Sequence, residues 1–487
     1  MSSLFVDVTL SILYYKCYGI AYNSNTMYKK KYSRKPTKTK VKLAKIGVGK
    51  RRESRKLAKI EKPLEFDLNA EKQEVLDILE NTDRNIFLTG KAGTGKSEFL
   101  KHFRCTTQKN IVVLAFTGVA AVNVQGQTIH SFFKFHPQTT LESIKKLWGD
   151  KGEIYKKIHT IVIDEISMVR SDLLDCIDKF MRMNGPTPGL PFGGVQVFAI
   201  GDLYQLPPIV MNDEKELFTS VYKSPYFFDS NVYKEAGFIK KELTKVYRQD
   251  KAQNEFVRTL DNLRMCSFTN TDIDFINTRY VQNYTKPANE SVISLVTTNE
   301  MANSINMGEL DKLPFKQYSY PGVVTGDYKE KDLPTSKALE IKEGAQVMLL
   351  NNDAQDRWVN GDIVKVIKTT EDSVRVLFDD GSFDDIKTVS WDAIRYVLND
   401  ETKKIEPEVT GSFTQFPLKL AWAVTIHKGQ GKTFDKVHID FGRGTFAPGQ
   451  AYVALSRCRT LEGMTLTTKL QPRHVFTDPR IKEFMEG

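Results

Sequence analysis

Eight consecutive residues, Gly90, Lys91, Ala92, Gly93, Thr94, Gly95, Lys96 and Ser97, combine the types that bind a phosphate chain. Glycines let a backbone curl until its N–H groups face an anion, and a helix starting at once adds positive potential there. Lys96 supplies a point charge for β- and γ-phosphates, and Ser97 a hydroxyl for magnesium. A chance glycine-rich turn is the competing reading. The flanks argue against it: NIFLTG (85–90) has the character of a buried strand and SEFLKHF (97–103) that of a helix.

Further carboxylates and cations fit the same chemistry. TIVIDE (160–165) is a short apolar run ending in Asp164 and Glu165. A carboxylate at a strand end can hold magnesium, and a second can orient or deprotonate an attacking water. In isolation such a pair is a solvated turn; downstream of a phosphate loop it is a candidate catalytic pair. GDLYQLPPI (201–209) follows another apolar run, and Gln205 there can sense a γ-phosphate. Phosphoryl transfer also needs cations against the developing charge. Arg248 in LTKVYRQ and Arg457 in ALSRCR are the candidates, although either alone reads more readily as a surface ion pair.

The elements that must position these groups alternate. NAEKQEVLDIL (69–79) has helical spacing with Asn69 as a cap. Runs at 85–90, 111–116, 160–165 and 195–201 are short, apolar and β-branched, separated by helical stretches, which predicts a parallel sheet covered on both faces. A second set, SVISLVTT (291–298) and VHIDF (437–441), with a helix over 451–459, predicts a second α/β unit. Between them, AQVMLL (345–350), DIVKVIKT (362–369) and SVRVLFDD (373–380) alternate with polar turns, predicting a small antiparallel barrel inserted into that unit.

Bulk properties narrow the classes. With 487 residues, 40% hydrophobic and 27% charged, the chain can bury several cores. No apolar run reaches the ~20 residues of a membrane span. The apolar start, MSSLFVDVTLSILYY, lacks a basic flank and a cleavage site, so it is expected to be neither signal peptide nor anchor; Met27 is an alternative start. Five scattered cysteines predict neither a disulfide framework nor a zinc site, and point to a reducing, intracellular setting. The charge is uneven: residues 29–62 hold 16 Lys and Arg against Glu53 and Glu61, a net +14, and residues from 63 onward sum to about −4. This basic stretch reads as a disordered tail able to bind phosphates. Aromatics such as Phe132, Phe133, Phe135 and Trp358 are expected mostly in cores, with some free to stack on bases.

Taken together, GKAGTGKS, AFTGVAAVNVQGQTIHSFF (115–133), VIDEISMV (162–169), GDLYQLPPI, LTKVYRQ (243–249), LAWAVTIHKGQGKTFDKV (420–437) and AYVALSRCRT (451–460) resemble the PIF/RecD-like helicases of superfamily one, in order and spacing, from about residue 68 to 465. EISMVRSDLLDCIDKFMR (165–182) is similar to the signature helix of the PIF branch. The resemblance implies an α/β fold of two RecA-like P-loop domains with a small β-wedge, between the Thr117 block and Asp164, and an inserted Src-homology-like β-barrel. Behind the basic tail (1–62), which is read from its charge and is not a family motif, it implies a first domain (63–210), a second domain in two parts (211–314 and 416–487) and the barrel (315–415). ATP with Mg2+ would be hydrolysed in the cleft, with Ser97 and Asp164 on the metal, Gln73 reading the adenine, and Arg248 and Arg457 as arginine fingers. Single-stranded DNA would lie against Thr117, Gly118, His130, Ser131, Thr425, His427 and Lys428. The implied activity is 5′→3′ unwinding of duplex and forked DNA in replication, repair or recombination, by a monomeric or weakly self-associating protein away from membranes. The compartment would be cytoplasm or nucleoid in a bacterium or virus, nucleus or mitochondrion in a eukaryote. A RecD-type nuclease subunit and a strand-annealing ATPase are the alternatives. One departure is HKGQG, with Gly429 where relatives carry serine; another is Ser97 where threonine is common, which keeps the hydroxyl.

Overall fold

Strand β1 (Ile86–Gly90) is buried along its whole length, as a five-residue apolar run must be when both faces of its sheet are covered. The computed structural model describes residues 66–486, apart from 137–138, 211–213, 248–253, 288–289, 354, 356, 400 and 403. The basic tail over 1–62 and Arg248 therefore lie outside the described residues.

Helix α1 (Ala70–Asn81) precedes β1, capped by Asn69, whose Oδ1 accepts the Lys72 N–H at 3.0 Å. With β2 (Ile111–Ala115), β3 (Gln127–Thr128), β4 (Thr160–Asp164), β5 (Gln196–Ile200) and β6 (Ile239–Leu243), β1 forms a parallel sheet in the order β3-β2-β4-β5-β1-β6. The sequence-based boundary at residue 210 is thereby corrected: β6 pairs along all of β1, so the first α/β unit extends to residue 243. IKKEL is too polar to read as a buried strand, but an edge strand solvates one side and tolerates that composition.

Helix α2 (Lys96–Thr106) follows β1, and one core lies under this sheet against α3 (Ser171–Asn184). Phe133, Phe135, Tyr155 and Phe180 interlock there with centroids 4.7–6.2 Å apart, each pair contributing roughly 0.5–1.5 kcal/mol beyond its burial. Two carboxylates of α3 are structural. Asp175 accepts the Asn231 and Val232 N–H groups, and Asp178 accepts that of Phe192 at 2.7 Å.

The expected β-wedge is not made of strands. Among the described residues between 134 and 159 lie two 3-10 turns (Leu141–Ser143, Gly149–Gly152) and a one-turn helix (Glu153–Lys156). Leu141, Ile144 and Leu147 recur every third residue and pack inward as turns, and Asn184 Oδ1 accepts the Leu147 N–H at 2.7 Å. Trp148, at this tip, is 80% exposed with Lys146 Nζ 5.5 Å from its ring centre.

Strand β7 (Ile293–Val296) opens a second sheet whose other strands come only after residue 417. The interval holds β8 (Gln317–Pro321), β9 (Val323–Gly326), β10 (Ala338–Lys342), β11 (Gln346–Leu349), β12 (Ile363–Thr369), β13 (Val374–Leu377), β14 (Phe383–Ile386), β15 (Val389–Leu398), β16 (Ile405–Gln415) and β17 (Leu418–Leu420). Their pairings are antiparallel: β14-β13-β12-β11-β17, β10-β8 and β15-β16-β9. A single small barrel is thus too simple a description of this interval. The long β15–β16 hairpin reaches back to the first sheet, where the Tyr396 hydroxyl accepts the Val113 N–H at 3.1 Å and Ile394 and Tyr396 enter the first core. The second sheet closes with β18 (Ala423–Thr425), β19 (Val437–Asp440) and β20 (Met464–Leu466), parallel in the order β18-β7-β19-β20.

Candidate active site and nucleic-acid interface

Four strands of the first sheet deliver the site from their carboxyl ends, where the order of neighbours changes and loops diverge. The phosphate loop leaves β1 through Gly90, Gly93 and Gly95, all at positive φ. A Cβ on Gly90 would stand 2.7 Å from the Leu243 carbonyl oxygen, so the close packing of β1 on β6 requires glycine there. Lys96 opens α2, and its ammonium donates to the carbonyls of Gly90 (2.6 Å) and Lys91 (3.1 Å). Burial pulls this ammonium below its ordinary range, against the opposing pull of Asp202, Glu165 and Asp164.

Asp164 ends β4. Burial, reinforced by the Glu165 carboxylate, pushes it up to about 7. Glu165 sits in the left-handed region (φ 51°), and burial raises its carboxyl as well, opposed by Lys96 and Arg457. Two crowded carboxylates beside the exposed Ser97 are a hard-oxygen donor set suited to a divalent cation. Gln205, after β5, donates from Nε2 to Asp202 Oδ2 at 3.2 Å. Beyond β6, Tyr247 donates its N–H to the Gly93 carbonyl (2.8 Å) and its hydroxyl to Asp67 (2.6 Å).

The second α/β unit faces this edge. Arg457 is buried just past α5 (Gln450–Leu455), a helix shorter than the 451–459 stretch expected; the chain turns at Ser456. Its guanidinium donates to Val453 O (2.9 Å), Lys432 O (3.1 Å) and Ser456 Oγ (2.8 Å) while lining the cleft. Gln430 Nε2 donates to Glu165 Oε2 at 3.2 Å, and the Tyr452 hydroxyl accepts the Ala92 N–H at 3.3 Å. The result is a cleft of about 1250 Å³ lined by Ala92–Ser97, Asp164, Glu165, Gln205, Tyr247 and Arg457, among others.

Three expected residues stand differently. Gln73 is not among the cleft-lining residues; its Nε2 donates to Asp77 at 2.7 Å on the exposed side of α1. The inward position belongs to Lys72, whose ammonium donates to the Tyr247 hydroxyl at 3.2 Å. Thr425 is buried and accepts the Lys428 N–H at 3.3 Å, whereas His427 is half-buried and Lys428 exposed. Burial pushes His427 below the usual histidine range. On the first unit, Thr117 accepts the Ala120 N–H, Ser131 Oγ accepts from Gln127, and the His130 ring lies 6.0 Å from Phe116. A Cβ on Gly118 would meet Asp332 Oδ1 at 2.3 Å, so a turn of the inserted segment covers that glycine. Sequence reading missed Gln430, Tyr247, Asp202 and Arg264. The first three lie inside motifs it quoted; Arg264 carries no local signal.

The chain and its fold are matched by known proteins. The family model for the PIF1-like helicase matches residues 67–271. The ATP-dependent DNA helicase Pif1 of Bdellovibrio bacteriovorus is 32% identical over 433 residues, which cover 86% of this chain and 92% of that one. The chain belongs to the PIF1-like helicase family. Among solved PIF1-like structures, Bacteroides sp Pif1 in complex with ADP-AlF4 superposes with a TM-score of 0.80 at 36% identity, covering 87% of this chain and 97% of that one. The same Bacteroides protein bound to ssDNA gives 0.63 at 37% identity, over 87% and 97%. Both neighbours share the mixed α/β, RecA-like fold; among the described residues, no helix of this PIF1-like chain is long and apolar enough to cross a membrane.

Proposed function

We infer that this protein is an ATP-dependent DNA helicase that moves 5′→3′ along single-stranded DNA and unwinds the duplex ahead of it. The observation that carries the reading is one cleft in which Lys96, Asp164 and Glu165 from one α/β unit meet Gln430 and Arg457 from the other. A site split between two bodies couples nucleotide state to their separation, which is what a stepping motor needs. Bacteroides Pif1, the structural neighbour, holds ADP-AlF4 in one structure and ssDNA in another.

In this reading the Gly90–Ser97 loop wraps the triphosphate, with Lys96 leaving its carbonyl partners for the β- and γ-phosphates. Ser97 and Asp164 would hold Mg2+, which would offset phosphate charge; Glu165 orients and deprotonates the attacking water. Gln205 senses the γ-phosphate, and Arg457 with Arg248 stabilises the charge that develops on it. Tyr247, 43% exposed beside Gly95, supplies a wall for the base, a position for which Gln73 is turned the wrong way.

The strand runs over Thr117, His130 and Ser131 on one unit and His427 and Lys428 on the other, with Gly118 excluded by the turn that covers it. The 3-10 segment with Trp148 at its tip acts as the wedge, and the antiparallel strands between β7 and β18 form the inserted Src-homology-like barrel with a hairpin arm. Domain limits in this reading are 66–243 for the first RecA-like domain and 244–316 with 421–478 for the second, while the C-terminal helix over 479–486 packs into the core of the first through Ile481 and Phe484. A forked duplex with a 5′ single-stranded arm tests the function. Strand separation that requires ATP supports it; annealing or mere ATP turnover without separation overturns it.

A further inference from the structure

The loop between β19 and α5, residues 441–449 (FGRGTFAPG), carries at its tip an exposed aromatic that no core requires. Phe446 is 62% exposed, and its ring lies nearly parallel to that of His427, at 15° with centroids 6.1 Å apart. Lys428 and Arg443 are exposed beside these two rings in sequence, and among the described residues no carboxylate forms an ion pair with Arg443. A single exposed phenyl group is ordinary. An exposed phenyl stacked on an imidazole and flanked by cations is the footprint of single-stranded nucleic acid, because every base offers a π-face and every linkage a charge.

The ring is also held in place. Gln450, whose side chain is fully buried, accepts the Phe446 N–H at 2.9 Å through Oε1. The Thr445 hydroxyl donates to His474 O at 2.8 Å, and the Gly449 N–H to Phe476 O at 3.0 Å. Gly449 has φ +72°, and a Cβ there would stand 2.3 Å from Tyr204 O and 2.6 Å from Gln205 O. The root of the loop therefore presses on the backbone of Gln205 in the nucleotide cleft, while its tip presents Phe446.

We propose that Phe446, backed by His427, is a base-stacking platform for single-stranded DNA, with Arg443 and Lys428 contacting the flanking phosphates. The inference rests on the helicase reading above, in which His427 and Lys428 face the DNA.

The test uses the full chain and an oligodeoxynucleotide carrying 2-aminopurine, whose fluorescence falls when it stacks on an aromatic ring. Wild type is expected to quench the probe, and Phe446→Ala to lose the quench and about tenfold or more in affinity. Phe446→Trp is expected to restore both, and Arg443→Ala to lower the slope of log affinity against log salt by about 0.7. Equal affinity and quench in wild type and Phe446→Ala overturns the platform while leaving the helicase reading intact. Loss in Phe446→Ala that Phe446→Trp does not restore overturns it too, since the role is then structural. A wild-type protein that binds no oligonucleotide overturns the helicase reading itself.

Discussion

Arg264 and Asp202 form an ion pair 3.0 Å long at the back of the nucleotide cleft, with side chains 2% and 0% exposed. Arg264 ends α4 (Asn254–Arg264), and its guanidinium also lies 4.4 Å from the centre of the Tyr204 ring. Burial works against the Asp202 charge, but Arg264 and Lys96 overcome it and hold the carboxyl below its usual range. The pair thus fixes a carboxylate that in turn receives Gln205.

Arg264→Met should destabilise the fold strongly, by roughly 3–5 kcal/mol, because it leaves a buried charge uncompensated. In the wild type Asp202 has a depressed folded pKa, so its contribution is present above the usual carboxylate range and is lost only below it. In the variant the carboxyl rises, and protonation relieves the buried charge. Melting temperatures of both proteins at pH 7 and pH 5 check this: the gap should narrow at pH 5. A constant gap contradicts the pairing.

Asp164, raised to about 7 by burial and Glu165, gives a second pH dependence. A carboxyl with a raised folded pKa stabilises the free protein while protonated, and that contribution fades as pH climbs towards 7. Magnesium must displace the proton. Apparent Mg2+ affinity in the presence of nucleotide should therefore rise by up to about tenfold per pH unit below 7 and level off above it. Titration calorimetry at pH 6, 7 and 8 reads the effect directly. Asp164→Asn should weaken binding and flatten the profile; an unchanged slope in that variant assigns the proton elsewhere.

Lys96→Ala should abolish ATP turnover and unwinding while single-strand affinity stays within a few-fold of wild type. Among the described residues the Lys96 ammonium donates to phosphate-loop carbonyls, and the residues assigned to DNA lie elsewhere. Steady-state hydrolysis and oligonucleotide binding on the same preparation decide it. Hydrolysis near the wild-type rate disproves the phosphate-loop assignment.

Arg457→Ala should lower kcat by about 10³-fold with a much smaller change in KM for ATP, as expected of a group that acts on the transition state. The guanidinium also ties Val453, Lys432 and Ser456 together, so some thermal stability should be lost as well. Arg457→Lys keeps a charge but not that three-way geometry and should recover little activity. If kcat and KM worsen equally, Arg457 is a structural strut and not a finger.

Removal of residues 1–62 should leave DNA-stimulated hydrolysis and unwinding in place, since every motif lies beyond Pro63. The sixteen cations of residues 29–62 should nevertheless add to DNA affinity in a salt-dependent way. If about five of them engage single strands, truncation lowers the slope of log affinity against log salt by about 3–4. Affinities at several salt concentrations, full-length against truncated, measure it. Parallel lines mean the tail docks something other than DNA.

The phosphate loop, its two flanking elements and the carboxylates at the end of β4 were readable from short stretches of sequence. Glycines at positive φ, an apolar β-branched run and an amphipathic turn are local properties, and each stretch carries its own physical cause. The seven motifs in order then specified the nucleotide chemistry and the two-unit architecture. What escaped depends on residues far apart in the chain. IKKEL became β6 only because β1 offered an open edge, and polar side chains are tolerated at an edge. Gln73 turned outward and Lys72 inward because the packing of Val75 and Leu79 sets the rotation of α1 about its axis, a choice that neighbouring residues in sequence do not make. Arg264 reaches Asp202 across 62 positions, Gln430 reaches Glu165 across 265, and Tyr452 reaches Ala92 across 360. Each of those contacts forms only when two separately folded sheets close on a common cleft, so no window of the chain contains its cause.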